Sequence, residues 1–202
     1  MERIEAVKKM RSASSKESTR NWAAYPYLFT ENRQPESGNY LVIPRVSSER
    51  RIYIPIGYMP SDVIASDAVQ IVPNATLYEF GMLISIVHNA WMRVVCGRLK
   101  SDYRYSNDIV YNNFPWCSPT DEQKAKIAQT AQTVLDVRNR FPEASLADLY
   151  DEMLMPVELR KAHQENDRAV MQAYGFSLKM TEGEIVAELF KLYENLTVKG
   201  SS

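Results

Sequence analysis

Across residues 76–96 the apolar side chains Leu77, Phe80, Ile84, Val87, Trp91 and Val94 recur at alternating steps of three and four, with Leu83 and Val95 widening the stripe. That spacing places them along one side of a helix and demands a packing surface for its whole length. Upstream the period is different. "YLVIPRV" and "RIYIPIG" are β-branched or aromatic runs on either side of the polar "SSER", a hairpin-like pattern, and "DVIASDAVQIVP" offers one or two further short strands. Pro44 and Pro55 push those runs toward sheet edges or irregularities. Downstream of "NFPW" the chain turns helical and acidic: Thr120 with Gln123 and Thr181 with Glu184 match the capping box, Ser145 opens another helix, and Pro156 suits a first turn.

The expectation is an α+β fold. A small, twisted, mostly antiparallel sheet with a long packed helix occupies 38–116, including a short strand around Ile109 and Tyr111. A helical subdomain fills 117–202, with helices near 120–139, 145–153, 157–174 and 182–196, and residues 1–37 form a partly helical connector. The terminal Gly-Ser-Ser reads as a cloning remnant.

A chain of 202 residues with 45% hydrophobic content buries a core without disulfide or metal staples. Cys96 and Cys117 have no CxxC spacing, and two histidines are too few to complete a zinc set, which fits a reducing cytoplasm. No apolar run approaches the ~20 residues of a membrane span, and the N-terminal stretch lacks the apolar core of a secretion signal. The expected localisation is cytoplasmic, with no membrane partner.

The net charge of -1 is unevenly spread: residues 1–116 hold 14 Lys and Arg against 11 Asp and Glu, whereas 117–202 hold 10 against 14. A polyanion contact therefore belongs to the first part. Its densest cationic patches are "RVSSERR" at 45–51 and "CGRLKSDYRYSNDIVYNNFPW" at 96–116, where cations mix with tyrosines and with the amides of Asn112 and Asn113. Cations suit phosphates, flat rings and guanidiniums suit bases, and amides suit base edges.

Enzyme motifs are nearly present and fail on physical grounds. "NFPW" differs by one residue from the Asn-Pro-Pro-Trp of amino-methyltransferases, but no glycine-rich turn follows a strand to receive an adenosyl cofactor, and a packed aromatic turn explains it better. Asp108 with Glu122 and Lys124 resembles a magnesium-holding nuclease set, yet acids in the first turn of a helix are accounted for by its dipole. His88 lies in the buried-helix pattern as a hydrogen-bonded structural residue, and His163 has no nucleophile spaced to it. The residues alone leave two readings, DNA binding or an interaction and assembly module, with a nuclease as the weaker third.

The succession "YLVIPRVSSERRIYIPIGY", "PNATLYEFGMLISIVHNAWMRVVCGRLKSDYRYSNDIVYNNFPW" and "LADLYDEMLMPVELRKAHQENDRAVMQAYGF" resembles the C-terminal region of MmeI-like single-chain restriction-modification enzymes, over about residues 15–196. Cys117 departs from the proline expected there. In that family an adenine-N6 methyltransferase domain precedes a target recognition domain and a helical tail. The resemblance implies a recognition module with double-stranded DNA and an upstream methyltransferase domain as partners. It implies no catalytic residue, cofactor or metal within these residues; the parent would use S-adenosylmethionine, and magnesium where a nuclease domain exists. First-choice DNA contacts are Arg98, Lys100, Ser101, Arg104, Tyr105 and Asn112, followed by Arg45, Ser47, Ser48, Arg50 and Arg51. A framework role for "SDYRYS", with Asp102 pairing to a nearby arginine, stays open beside direct contact.

Overall fold

The computed structural model describes residues 1–31 and 33–199, so the terminal Gly-Ser-Ser lies outside the described residues. The chain divides into two compact units, Met1–Gln34 and Pro35–Ser202. In the first, α1 (Glu2–Ser12) and α2 (Glu17–Asn21) lead into a 3-10 turn at Trp22–Ala24. Arg11 organises this unit by donating to the carbonyls of Trp22, Tyr25 and Leu28 at 3.1, 2.8 and 2.8 Å. A planar guanidinium with five fixed donors can serve three acceptors at once.

The second unit is α+β, as expected, with its strands in two small antiparallel sheets. β1 (Asn39–Pro44) lies between β3 (Gly57–Pro60) and β4 (Val69–Pro73). The other sheet places β6 (Asp102–Arg104) between β2 (Val46–Ser47) and β5 (Gly97–Leu99). Arg45 joins them: its N–H donates to Ala68 at 2.9 Å beside the first sheet, and its carbonyl accepts from Tyr105 at 2.8 Å beside the second. The run "RIYIPIG" becomes strand only at Gly57. Tyr53 and Ile54 are adjacent and both buried, which the alternation of a half-exposed strand forbids. Side chains satisfy that backbone instead: Asn89 accepts from Ile54 N–H at 2.9 Å and Arg138 donates to the Ile56 carbonyl at 2.8 Å.

The apolar stripe is helical but interrupted. α3 (Leu77–Ile84) and α4 (Ile86–Val95) meet at Ser85, whose ψ of 159° is extended. Ser85 Oγ donates to Met82 at 2.7 Å and accepts from His88 N–H at 3.3 Å, a helix cap placed inside the stripe. Asp167 completes the break, accepting from Ile86 N–H and from the Tyr53 hydroxyl, both at 2.7 Å. The strand expected around Ile109 and Tyr111 is instead a π-helical turn, Asn107–Tyr111. Side-chain donors take its carbonyls: the Trp91 indole, from α4, reaches Val110 at 3.0 Å, and the Asn113 amide reaches Asp108 at 2.8 Å and Ile109 at 3.1 Å.

Four helices follow, α5 (Asp121–Arg138), one-turn α6 (Leu146–Leu149), α7 (Val157–Tyr174) and α8 (Glu182–Lys199). The capping boxes at Thr120 and Thr181 form as their spacing predicts. α3 packs into α5 and α7 at Gly81, where a Cβ would stand 2.6 Å from Ile127 Cγ2 and 3.1 Å from Ala131 Cβ. Asn166 donates to the Gly81 carbonyl at 2.8 Å and accepts from Thr130 at 3.1 Å. Gly81→Ala should therefore cost about 1–3 kcal/mol by overpacking. The check is a fall in the urea midpoint at constant m-value; no fall would mean the helices part freely.

Both histidines are buried. His88 Nδ1 donates to the Leu83 carbonyl at 2.8 Å, leaving Nε2 to accept from the Tyr105 hydroxyl at 3.1 Å. Burial lowers its pKa from 6.5 to about 4. Between those values the unfolded chain takes a proton that the folded ring refuses, so stability falls with falling pH, by up to roughly 3 kcal/mol from this residue. His163, lowered by burial and by Arg138, acts in the same direction. Asp167 opposes them: burial raises it from 3.8 to about 6, so below that value the folded chain holds the extra proton. Urea unfolding followed from about pH 7 to about pH 4.5 should show a net loss of stability, with a shallower slope in His88→Gln. An unchanged slope would place the acid sensitivity elsewhere.

Candidate nucleic-acid interface

Register decides which side chains of the second sheet face outward. Val46 and Gly97 lie opposite Arg104, Ser47 and Arg98 opposite Tyr103, and Leu99 opposite Asp102. Opposed residues share a face and successive residues alternate. Ser47, Arg98 and Tyr103 therefore share one face, which Arg45 and Tyr105 continue through their backbone hydrogen bond. Val46, Gly97, Leu99, Asp102 and Arg104 form the other. Ser47, Tyr103 and Tyr105 are buried while Val46 and Leu99 are exposed, so the first face meets the core and the second meets solvent.

This geometry sorts the expected contacts. Tyr105 is a core residue whose hydroxyl is held by His88, and burial raises its pKa far above 10. Ser47 is likewise placed beneath the sheet, 4% exposed. Arg45 is half-buried between the sheets, and its Nε, like the Nε of half-buried Arg51 and the Ser47 hydroxyl, has no hydrogen-bond partner among the described residues. Arg98 stays at the surface but is engaged, its guanidinium 4.1 Å above the Tyr103 ring, donating to the Ser101 carbonyl at 2.9 Å and facing Glu49 at 3.9 Å. Glu49, rather than Asp102, is thus the carboxylate that faces Arg98. Ser48 accepts from Arg50 N–H at 3.3 Å and shapes its own turn.

Arg50, Lys100 and Arg104 are different: exposed, with no ion pair or side-chain hydrogen bond among the described residues. Lys100 sits at the β5–β6 hairpin tip with φ 56°, in the left-handed region, a conformation costing about 1 kcal/mol for a residue with a Cβ. Ser101 beside it is exposed. Asn112 is exposed with its amide unengaged among the described residues, whereas Asn113 spends its amide on the π-helical turn. A cleft of about 520 Å³ separates the hairpin tip from the turn at 48–51. Arg50 and Arg51 line it together with Glu49, Asp102, Asp151 and Glu152. Four carboxylates to two guanidiniums make the cleft as a whole a poor phosphate pocket, so a polyanion contact falls to individual exposed cations.

Charge follows the same division. Residues 1–34 hold seven Lys and Arg against four Asp and Glu, and 35–116 hold seven of each. The surplus expected in the recognition segment thus belongs to the first unit, while the second carries a balanced set with clustered cations. Six of its seven cations fall in the two patches; the seventh, Arg93, pairs with Glu182 at 2.7 Å. Alternation was the signal that could have found the inward tyrosines, because Tyr103 and Tyr105 share one parity and Arg104 the other.

The remaining candidates are structural. Phe114 of "NFPW" packs edge-on against His88 and Trp116 at 4.9 and 5.3 Å, the expected aromatic turn. His163 accepts the Tyr150 hydroxyl at 2.6 Å and stacks on Tyr53 at 4.1 Å. Both cysteines are free, and burial raises their pKa, that of Cys117 to about 11. Among the described residues no group of three or more His, Cys, Asp or Glu could hold a metal ion. Among them, too, no helix is long and apolar enough to cross a membrane.

Comparison with known proteins gives two family models, the MmeI target recognition domain over residues 1–118 and the MmeI C-terminal domain over 119–199. DNA methyltransferase A of Bacillus subtilis (strain 168) is 37% identical over 197 residues, which are 97% of this chain and 22% of that protein. The solved structure of the Type IIL restriction-modification enzyme MmeI in complex with DNA matches with a TM-score of 0.90 at 45% identity, covering 96% of this chain and 26% of the MmeI chain. The chain thus spans about a quarter of the length of these relatives or less.

Proposed function

The chain belongs to the MmeI family, and on that premise we propose that it is the DNA sequence-recognition module of a type II restriction-modification adenine-N6 methyltransferase. The observation that carries this reading is the set of exposed cations Arg50, Lys100 and Arg104, which have no ion pair or side-chain hydrogen bond among the described residues. Cationic side chains grip phosphates and set the register of a duplex, and base edges are read by Arg or Lys on guanine and by amides on adenine. Arg98 acts differently, stiffening the hairpin through Tyr103 and Ser101.

In this reading the module holds double-stranded DNA while a methyltransferase domain flips an adenine out of the stack. S-adenosylmethionine, and magnesium where cleavage occurs, would serve that other machinery. The residues here offer no glycine-rich strand-to-helix turn for the cofactor and take no part in methyl transfer.

An assembly role draws on a separate observation. Met153, Leu154 and Val157 are 90%, 67% and 63% exposed, an apolar patch of the kind that packs against protein. It fits a docking surface used alongside DNA recognition.

Duplex binding measured against salt concentration tests the proposal. Replacing Arg50, Lys100 and Arg104 together by alanine should flatten the plot of log affinity against log salt by roughly 0.9 for each lost phosphate contact. Arg98→Ala should alter the slope less than the triple variant does. A triple variant with unchanged affinity and slope would remove these three cations from the interface.

A further inference from the structure

We propose that Asp167, from the C-terminal helices, is a positioning residue for DNA recognition, setting the spacing between the turn at 48–51 and the β5–β6 hairpin; this rests on the recognition reading above. The two surface elements line one cleft, Ser48, Arg50 and Arg51 from the turn and Ser101 and Asp102 from the hairpin. Each leaves the interior from a different support. The turn runs directly into the irregular segment 52–54, and the hairpin begins two residues after the end of α4. Segment 52–54 is held against α4 by side chains at three levels. Asp167 accepts from Ile86 N–H at the start of the helix and from the Tyr53 hydroxyl, both at 2.7 Å. The Asn89 side-chain carbonyl accepts from Ile54 N–H at 2.9 Å. Arg93, in the last turn, donates to the Ile52 carbonyl and to Glu182, the latter at 2.7 Å.

Asn89 and Arg93 stand four residues apart and share one side of α4. Alone they would leave the segment free to rotate about the line joining them; Asp167 reaches the pair from α7 and blocks that rotation. Binding constellations tolerate displacements of only about 0.5 Å, so the third attachment decides whether turn and hairpin meet a duplex in register. The carboxylate also gives the role a signature. Burial raises the Asp167 pKa from 3.8 to about 6, against the hydrogen bonds from Tyr53 and Ile86 and the nearby Arg93 guanidinium, which lower it. Around the Tyr53 ring stand Tyr150, Arg160 and the stacked His163. His163 is lowered well below 6.5 and both tyrosines are raised above 10. Asp167 is therefore the group of this cluster that changes charge as pH falls through about 6. Once protonated, it no longer offers charge-assisted bonds to its two donors.

The test uses two duplexes of equal length, one selected from a randomised pool by the 202-residue chain and one scrambled from it. The readout is the ratio of their affinities, because a variant that merely unfolds part of the protein weakens both alike and leaves the ratio unchanged. Near neutral pH, Asp167→Asn should lower the ratio roughly tenfold, the loss expected when a hydrogen bond to a charged group is removed. Tyr53→Phe, which keeps the bond to Ile86, should lower it less. Val134→Ala, a cavity in buried α5, should reduce stability without moving the ratio. In the wild type the ratio should fall as pH drops through about 6, whereas in Asp167→Asn it should stay flat. If both variants keep the wild-type ratio and the wild-type pH profile is flat, the assignment is overturned while the recognition reading stands. Should Asp167→Asn fail to fold, Tyr53→Phe and the wild-type profile decide it. A wild type that binds both duplexes equally, or neither at low salt, ends the recognition reading, and the assignment falls with it.

Discussion

Everything outward-facing in the larger unit depends on how closely α3 can approach α5 and α7. Gly81 lets α3 come near enough for Asn166 to donate to its backbone carbonyl, and Thr130 fixes the other end of that amide. The contact spans the residues matching the two family models. Because α3 leads directly into α4, and α4 into the β5–β6 hairpin, the same contact positions the exposed cations. The helical C-terminal part thus serves as the bed on which the hairpin is mounted.

Asp167 performs a second anchoring task. One carboxylate accepts from the start of α4 and from the Tyr53 hydroxyl, so the helix break and the irregular segment after the turn at 48–51 share a single fixed point. Arg138 secures the same segment through the Ile56 carbonyl and engages Tyr150, the partner of His163. Such buried polar groups are costly unless satisfied, and their mutual satisfaction selects one arrangement. The turn carrying Arg50 is consequently attached to a rigid interior despite having no regular strand.

The arginines divide by what they touch. Arg11, Arg93 and Arg138 spend their donors on backbone carbonyls and carboxylates, and Arg98 lies on a tyrosine ring. Arg50 and Arg104 have no such engagement. A guanidinium with internal partners is part of the scaffold, whereas one without them keeps its hydrogen-bonding capacity for a phosphate or a base.

Local chemistry made much of this fold legible beforehand. The capping boxes at Thr120 and Thr181, the apolar stripe with His88 inside it, and the aromatic packing of "NFPW" depend on residues a few positions apart, where side-chain spacing alone fixes the geometry. The family resemblance lay in motifs of the same kind. Alternation separates Tyr103 and Tyr105 from Arg104, but which of the two sets faces outward could not be read that way, because the answer depends on β6 pairing with β2, a strand far away in sequence, and a shift of one residue would reverse every side chain. The breaks at Ser85 and at the π-helical turn were hidden for the same reason. Each exists because a side chain from elsewhere, Asp167 or Trp91, supplies a hydrogen bond that continuous helix or strand would otherwise have made. Sequence determined which elements form; the tertiary hydrogen bonds decided where they bend and which charges remain free.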